Sequence, residues 1–205
     1  LRTDLDKTGT QYNLHPHNPD EMIDLHFDPF PKLETERLDL RKISMNDALD
    51  MFSIRSNPEA MKYICRPLLN SISESQNLIG SFQDGVRNRI NIVWGISLKT
   101  QSRLIGTIGF HRIEKDNLRA EVGYLLDPAF WGKGYTSEAL KTVVDYGFVA
   151  MGLHSVEARI DPANTESRKV LLKQNFTKEG YFKEAIYFDS HFVDTEIYSL
   201  RKGVT

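Results

Sequence analysis

The chain reads as an α/β protein with α+β character: a mixed, mostly antiparallel sheet of about seven strands flanked by about four helices. Three observations lead there. A polar turn, Lys99 to Ser102, joins two alternating segments, Ile90 to Leu98 and Arg103 to Ile113, as in a hairpin. A third strand-like segment, Arg119 to Leu126, follows directly. Apolar positions Leu140, Val143, Val144, Gly147, Phe148 and Met151 then recur at i, i+3, i+4, i+7, i+8 and i+11. That spacing is a helix of about four turns, and as a crossover it makes the strands before and after it parallel.

The remaining elements follow from the same signals. Residues 1–31 are polar and proline-rich, with His15-Pro16-His17-Asn18-Pro19 and Asp28-Pro29-Phe30-Pro31. Proline at that density opposes regular structure, so this stretch is expected to be an irregular arm along the domain surface, with one domain over 32–205. Arg37 to Ile43 alternates apolar and charged residues as a half-buried strand. Ser44 to Ser56 carries apolar residues near helical spacing, and Asn57-Pro58 ends it. Ser73 to Arg87 is a second amphipathic helix, with Leu78, Ile79, Phe82 and Val86 on one face. After the long helix, closed by Gly152, Ser155 to Ile160 is a strand. Asn164 is placed to cap a helix running to about Gln174. Two last strands, Tyr181 to Phe188 and Phe192 to Leu200, turn at Asp189-Ser190.

Composition excludes several classes. With 26 basic and 28 acidic residues, the net charge of -2 gives no reason to expect a nucleic-acid partner. No run approaches the ~18 apolar residues of a membrane span, and no signal pattern opens the chain, so a cytoplasmic location without membrane contact is the default expectation. Cys65 is the single cysteine, which rules out an internal disulfide and a thiolate metal cluster. His15 and His17 have no cysteine or carboxylate cluster beside them, so no metal site is expected.

The chemical weight falls on Trp131-Gly132-Lys133-Gly134-Tyr135-Thr136. The two glycines permit a tight turn with no Cβ between backbone and ligand, and the helix that follows begins with unpaired amides. Such a turn is suited to a pyrophosphate. Lys133 either adds a cation there or points into solvent. A Walker loop is excluded, because position 127 is Asp and Gly134 follows the Lys. A dinucleotide fingerprint fits poorly, since Ser137 stands at its third glycine. Taken alone, the turn is equally well an ordinary turn with no ligand.

The neighbouring segments decide the matter. Arg103 to Gly106, Glu121 to Pro128, Trp131 to Glu138, and Asn164 to Ser167 through Asn175-Phe176 together resemble the GNAT acetyltransferase superfamily. The branch most similar is that of the ribosomal-protein (RimJ/RimL-like) N-acetyltransferases, and Leu33 to Arg41 resembles its first strand. The resemblance spans about residues 33–200 and implies a GNAT fold.

It also implies roles. Gly132, Lys133, Gly134, Tyr135 and Thr136 would hold the pyrophosphate of acetyl-CoA, with Trp131 replacing the family's leading Gln or Arg. Thr136 replaces a smaller residue, which keeps the backbone farther from the phosphate. Tyr124, Leu125 and Leu126 would pair with the pantetheine arm, and the amide of Leu125 or Leu126 would polarise the thioester carbonyl. Asn164 would bind the pantetheine or cap its helix, and Ser167 would face the sulfur. A tyrosine acid common in the family is replaced by Leu171, which leaves Ser167 or solvent as proton donor. Asn175 stands where glycine is usual, and tolerates a left-handed cap.

Direct attack of an amine on a thioester needs a base, an oxyanion donor and an acid. Glu121, in mid-strand on the same side as Gly123 and Leu125, is the leading base, unless it merely pairs with Arg103 or Arg119. His111 is the second choice, though a surface position suits it as well. Arg168, Lys169 and Lys173 form a solvated basic face or reach the cofactor's 3′-phosphate. The expected function is acetyl transfer to a primary amine, first a protein or peptide α-amine. The alternatives are a small amine (amino acid, polyamine or aminoglycoside) or a non-catalytic acyl-CoA-binding regulatory module. The resemblance is also compatible with a homodimer.

Overall fold

The computed structural model describes residues 23–203. His15 and His17 lie outside them. Strands β1 (Leu33–Glu34), β2 (Leu38–Lys42), β3 (Ile92–Leu98), β4 (Gln101–Glu114), β5 (Arg119–Leu126), β6 (Ser155–Ile160), β7 (Thr177–Phe188) and β8 (His191–Arg201) form one sheet. Its order is β1-β2-β3-β4-β5-β6-β8-β7. Among the described residues only β5 and β6 pair in parallel; every other neighbouring pair is antiparallel. The helices are α1 (Ala48–Arg55), α2 (Pro58–Met61), α3 (Ile72–Arg87), α4 (Tyr135–Val149) and α5 (Thr165–Lys173).

The mixed sheet and the parallel crossover through α4 are as expected, and among the described residues there are eight strands and five α-helices, one more of each than the sequence suggested. The extra strand is the two-residue β1, too short to show a period. The extra helix is α2. Asn57-Pro58 does end α1, but Asn57 Oδ1 also accepts from the amide of Glu59 at 2.8 Å, and Pro58 takes the first helical position. One dipeptide therefore closes one helix and opens the next.

The core has two parts. Leu38, Leu40, Trp94, Ile108, Phe110, Val122 and Leu126 face α4 and α5. On the opposite face, Ile43, Val93, Leu104 and Leu125 meet Met51, Ile54, Met61 and Ile79 from α1, α2 and α3. Residues 23–31 are irregular and run along the domain with two of their side chains turned inward. Leu25 and Phe27 are buried in the first cluster, Asp24 N–H donates to Met151 O at 2.9 Å, and Trp94 Nε1 donates to Pro31 O at 2.7 Å. Prolines blocked regular structure there without preventing burial.

Alternation fixes what the sheet presents on each face. Glu121, Gly123 and Leu125 point toward α1 and α3, while Val122, Tyr124 and Leu126 point toward α4 and α5. The β5–β6 pairing covers only Arg119–Glu121 against Ser155–Glu157. Beyond that the two strands part, and a gap opens through the sheet.

Candidate active site

The gap continues as a cleft of about 1420 Å³ that reaches both sheet faces. From one face come Glu121, His111 and Leu125; from the other, Tyr124, Asn164 and Ser167. The Asp127 N–H donates to Ile105 O at 2.9 Å in the same register that pairs Leu125 with Thr107 and Gly123 with Gly109. Odd-numbered amides of β5 therefore aim at β4, the Val122 amide completes the ladder with β6, and the amides of Tyr124 and Leu126 aim into the gap. Of the two amides expected to meet a thioester, that of Leu126 faces the gap. The Leu125 amide is committed to β4, and Leu125 meets the cleft with its side chain. The Leu126 carbonyl, on the gap side, accepts from Trp131 Nε1 at 2.8 Å.

The turn 131–136 sits beyond the C-terminal end of β5 and does not line the cleft itself. Gly132 and Gly134 have φ of 71° and 79°, the left-handed region in which glycine carries no penalty. Among the described residues, no backbone N–H from Gly132 to Ser137 has a protein acceptor; the first amide to find one is that of Glu138, bonded to Gly134 O at 3.1 Å. Consecutive free amides at a helix start hold an anion without any side chain. Lys133 does not complete this cradle, because Nζ folds back to Ala129 O at 3.0 Å over the ring of Phe130. Arg37 does more. Its guanidinium bonds Lys133 O at 3.0 Å and Glu138 Oε2 at 2.7 Å, and stacks over Tyr135 at 4.6 Å. In the sequence Arg37 stands out only within the alternating strand and the stretch Leu33 to Arg41 that resembles the family's first strand.

Glu121 is a partly buried carboxylate of the cleft. Arg112 and Arg159 each stand 3.6 Å from Oε2, beyond hydrogen-bond reach, and that oxygen is buried with no partner. Arg103 and Arg119 are engaged elsewhere, with Asp50 and Asp127 and with Glu157. Burial pushes the Glu121 carboxyl above the usual carboxylate range, and Arg112 and Arg159 oppose it only in part. His111 sits directly across from Glu121 in the β4–β5 register. A Cβ placed on Gly123 would lie 3.2 Å from its ring. His111 therefore lines the cleft rather than the open surface, and burial, then Arg55 and Arg66, lower its pKa to about 4.

Asn164 caps α5: Oδ1 accepts from the amide of Ser167 at 3.0 Å. Ser167 Oγ donates to the phenol oxygen of Tyr124 at 3.0 Å, and burial pushes that phenol up to about 12. Sequence reasoning passed over this phenol because it stands on the strand rather than on α5. Leu171, at the family's tyrosine position, is fully buried in the core. Arg168 is held by Glu196 and Pro162 O, and Lys169 pairs with Glu166, so Lys173 alone of the three basic residues is without an ion pair among the described residues. Asn175 has φ 62°, the left-handed cap expected of it. Cys65 lines the cleft, but burial raises its thiol, Asp161 adds to the effect, and a thiolate is disfavoured.

A parted sheet that exposes strand amides, beside a helix start that offers free amides, defines an acyltransferase frame for a long anionic thioester. Residues 37–177 match the model of the acetyltransferase (GNAT) domain. The chain is 39% identical over 173 residues to the uncharacterized N-acetyltransferase YoaA of Bacillus subtilis, covering 84% of this chain and 98% of that one. It is 37% identical to the uncharacterized N-acetyltransferase p20 of Bacillus licheniformis, with 83% and 96% covered. Among solved structures, a GNAT-family acetyltransferase from Bacillus anthracis superposes with a TM-score of 0.75 at 29% identity, over 83% of this chain and 98% of that one. The chain belongs to the GNAT acetyltransferase family and is an acetyltransferase.

Proposed function

We propose that the chain transfers acetyl from acetyl-CoA to the α-amine of a protein or peptide, by direct attack in a ternary complex. The observation that carries this reading is the gap between β5 and β6. It puts Glu121 on one face of the sheet and the Ser167–Tyr124 pair on the other, with strand amides between them. Acceptor and cofactor then meet from opposite sides.

The residues divide the work. Acetyl-CoA supplies an acyl thioester. The amides of Gly132 to Ser137 hold its pyrophosphate, and the gap-facing edge of Tyr124 to Leu126 aligns its pantetheine arm. Glu121 takes the proton lost by the amine as the carbon–nitrogen bond forms. The Leu126 N–H stabilises the carbonyl oxygen as it gains charge. The Ser167–Tyr124 pair returns a proton to the sulfur as the carbon–sulfur bond breaks, the phenol O–H being the available donor while Ser167 Oγ donates to that oxygen. Burial raises the Cys65 thiol and disfavours its thiolate, which supports direct transfer over an acylated enzyme.

A protein or peptide α-amine is the first acceptor class because of the resemblance to the ribosomal-protein branch. A local match of 34% identity over 101 residues to the ribosomal-protein-serine acetyltransferase of Escherichia coli supports it, although it covers only 48% of this chain. Peptides with free and blocked N-termini, incubated with acetyl-CoA and read by thiol release and mass spectrometry, test the assignment. Acetyl on the free α-amine alone is expected. Transfer to lysine side chains or to small amines only would overturn it.

A further inference from the structure

Two guanidinium groups in the cleft have no counter-ion among the described residues. Arg55, the last residue of α1, has a buried Nε with no partner, and its Nη1 touches only Met61 Sδ at 3.9 Å. Arg66, on the loop after α2, reaches only the carbonyl of Cys65 at 3.3 Å. The loop is pinned over Arg55 by the amide of Leu69, which donates to Arg55 O at 3.2 Å. Both arginines line the same wall of the cleft as His111 and Glu121.

The acids of the cleft are committed elsewhere. Glu74 accepts from the amide of Asn70 at 2.8 Å, Asp161 from Ala163 at 2.7 Å, and Asp194 from Tyr181 and Glu184. Glu121 faces Arg112 and Arg159. Buried charge is normally paired, so a buried guanidinium nitrogen with no acceptor beside a second unpaired guanidinium marks a place where an anion arrives from outside. Desolvation, followed by repulsion from Arg66, lowers Arg55 to about 10, and both charges bear on the His111 ring.

We propose that Arg55 and Arg66 form the acceptor's anion subsite, which holds a carboxylate one or two residues from the amine being acetylated. This deepens the peptide reading above and rests on it. Arg55 and Arg66 line the same cleft as Glu121, the proposed base, so the amine and the anion belong to nearby residues of one extended chain, about 3.3–3.6 Å each. Planar guanidinium pairs suit carboxylates, and they disfavour a polycation at the same wall. The acceptor is a peptide with an acidic residue near its free N-terminus.

The test compares kcat/KM for three peptides that start Ser-Glu-Glu, Ser-Gln-Gln and Ser-Lys-Lys, with acetyl-CoA saturating. In the unmodified enzyme, the acidic peptide is expected to exceed the neutral one by about tenfold or more, the effect of one charge-assisted hydrogen bond. Arg66→Gln, on the exposed loop, and Arg55→Met should each bring that ratio toward one. Acetyl-CoA affinity, read by calorimetry, reports whether the variants are folded. Equal rates for all three peptides, a preference for the basic peptide, or an acid preference unchanged in both variants would overturn the subsite. If free glutamate is acetylated and no peptide is, and Arg66→Gln removes that reaction, the peptide reading fails while the subsite stands.

Discussion

Ser167 Oγ donates to the phenol oxygen of Tyr124 at 3.0 Å, joining the first turn of α5 to the strand whose Tyr124 and Leu126 amides face the gap. If the pair delivers one proton, the two hydroxyls act as a unit. Ser167→Ala and Tyr124→Phe should each lower kcat by about 10- to 100-fold. The double variant should then be little worse than the poorer single one. Single-turnover rates check this, and effects that multiply would mean that the hydroxyls work independently.

Glu121 gives a pH signature. Its carboxyl is raised by burial, so activity should fall as pH drops through that raised value and level off above it. Glu121→Gln should remove the acid limb and lower kcat at neutral pH by about 10²- to 10⁴-fold, with acetyl-CoA affinity retained. A limb centred near pH 4 in the unmodified enzyme would instead assign the base to His111.

The Arg41–Asp47 pair ties β2 to the start of α1, the helix that ends in Arg55. Burial alone would raise Asp47, but bonds from Arg41 and Ser44 outweigh it and hold the carboxyl below its ordinary 3.8. A depressed folded pKa contributes stability that is complete above 3.8 and is lost as pH falls through the lower folded value. Asp47→Asn should cost about 2–4 kcal/mol at neutral pH, with the difference shrinking in acid. Urea unfolding at several pH values measures it, and a pH-independent cost would exclude the charge as its origin.

Much of the fold was legible because local signals agreed with tertiary need. The period of α4, the Asn164 cap and the Asp189-Ser190 turn each stand where their residues put them. The turn residues have φ of 47° and 64°, the mirror-image geometry that a two-residue hairpin favours. The burial of Leu25 and Phe27 was not legible, since an irregular segment has no period to mark its inner face. The candidate site divided in the same way. Glycines and a cap have local signatures, so the turn and Asn164 could be found. His111, Tyr124, Arg55 and Arg66 come together only through register and helix packing, which no spacing along the chain records.

The most direct test of the central claim is a calorimetric titration of acetyl-CoA into the unmodified protein and into Gly134→Asp. A Cβ at position 134 would have only Arg37 Nη2 nearby, at 3.5 Å, and aspartate tolerates positive φ better than most residues, so the variant should fold. Its carboxylate would sit among the free amides of Gly132 to Ser137 and repel a pyrophosphate there. The expected result is an affinity loss of about 100-fold or more, roughly 3 kcal/mol, in a variant that stays folded although the side chain at positive φ lowers its melting temperature by a few degrees. Equal affinity in a folded variant would contradict it.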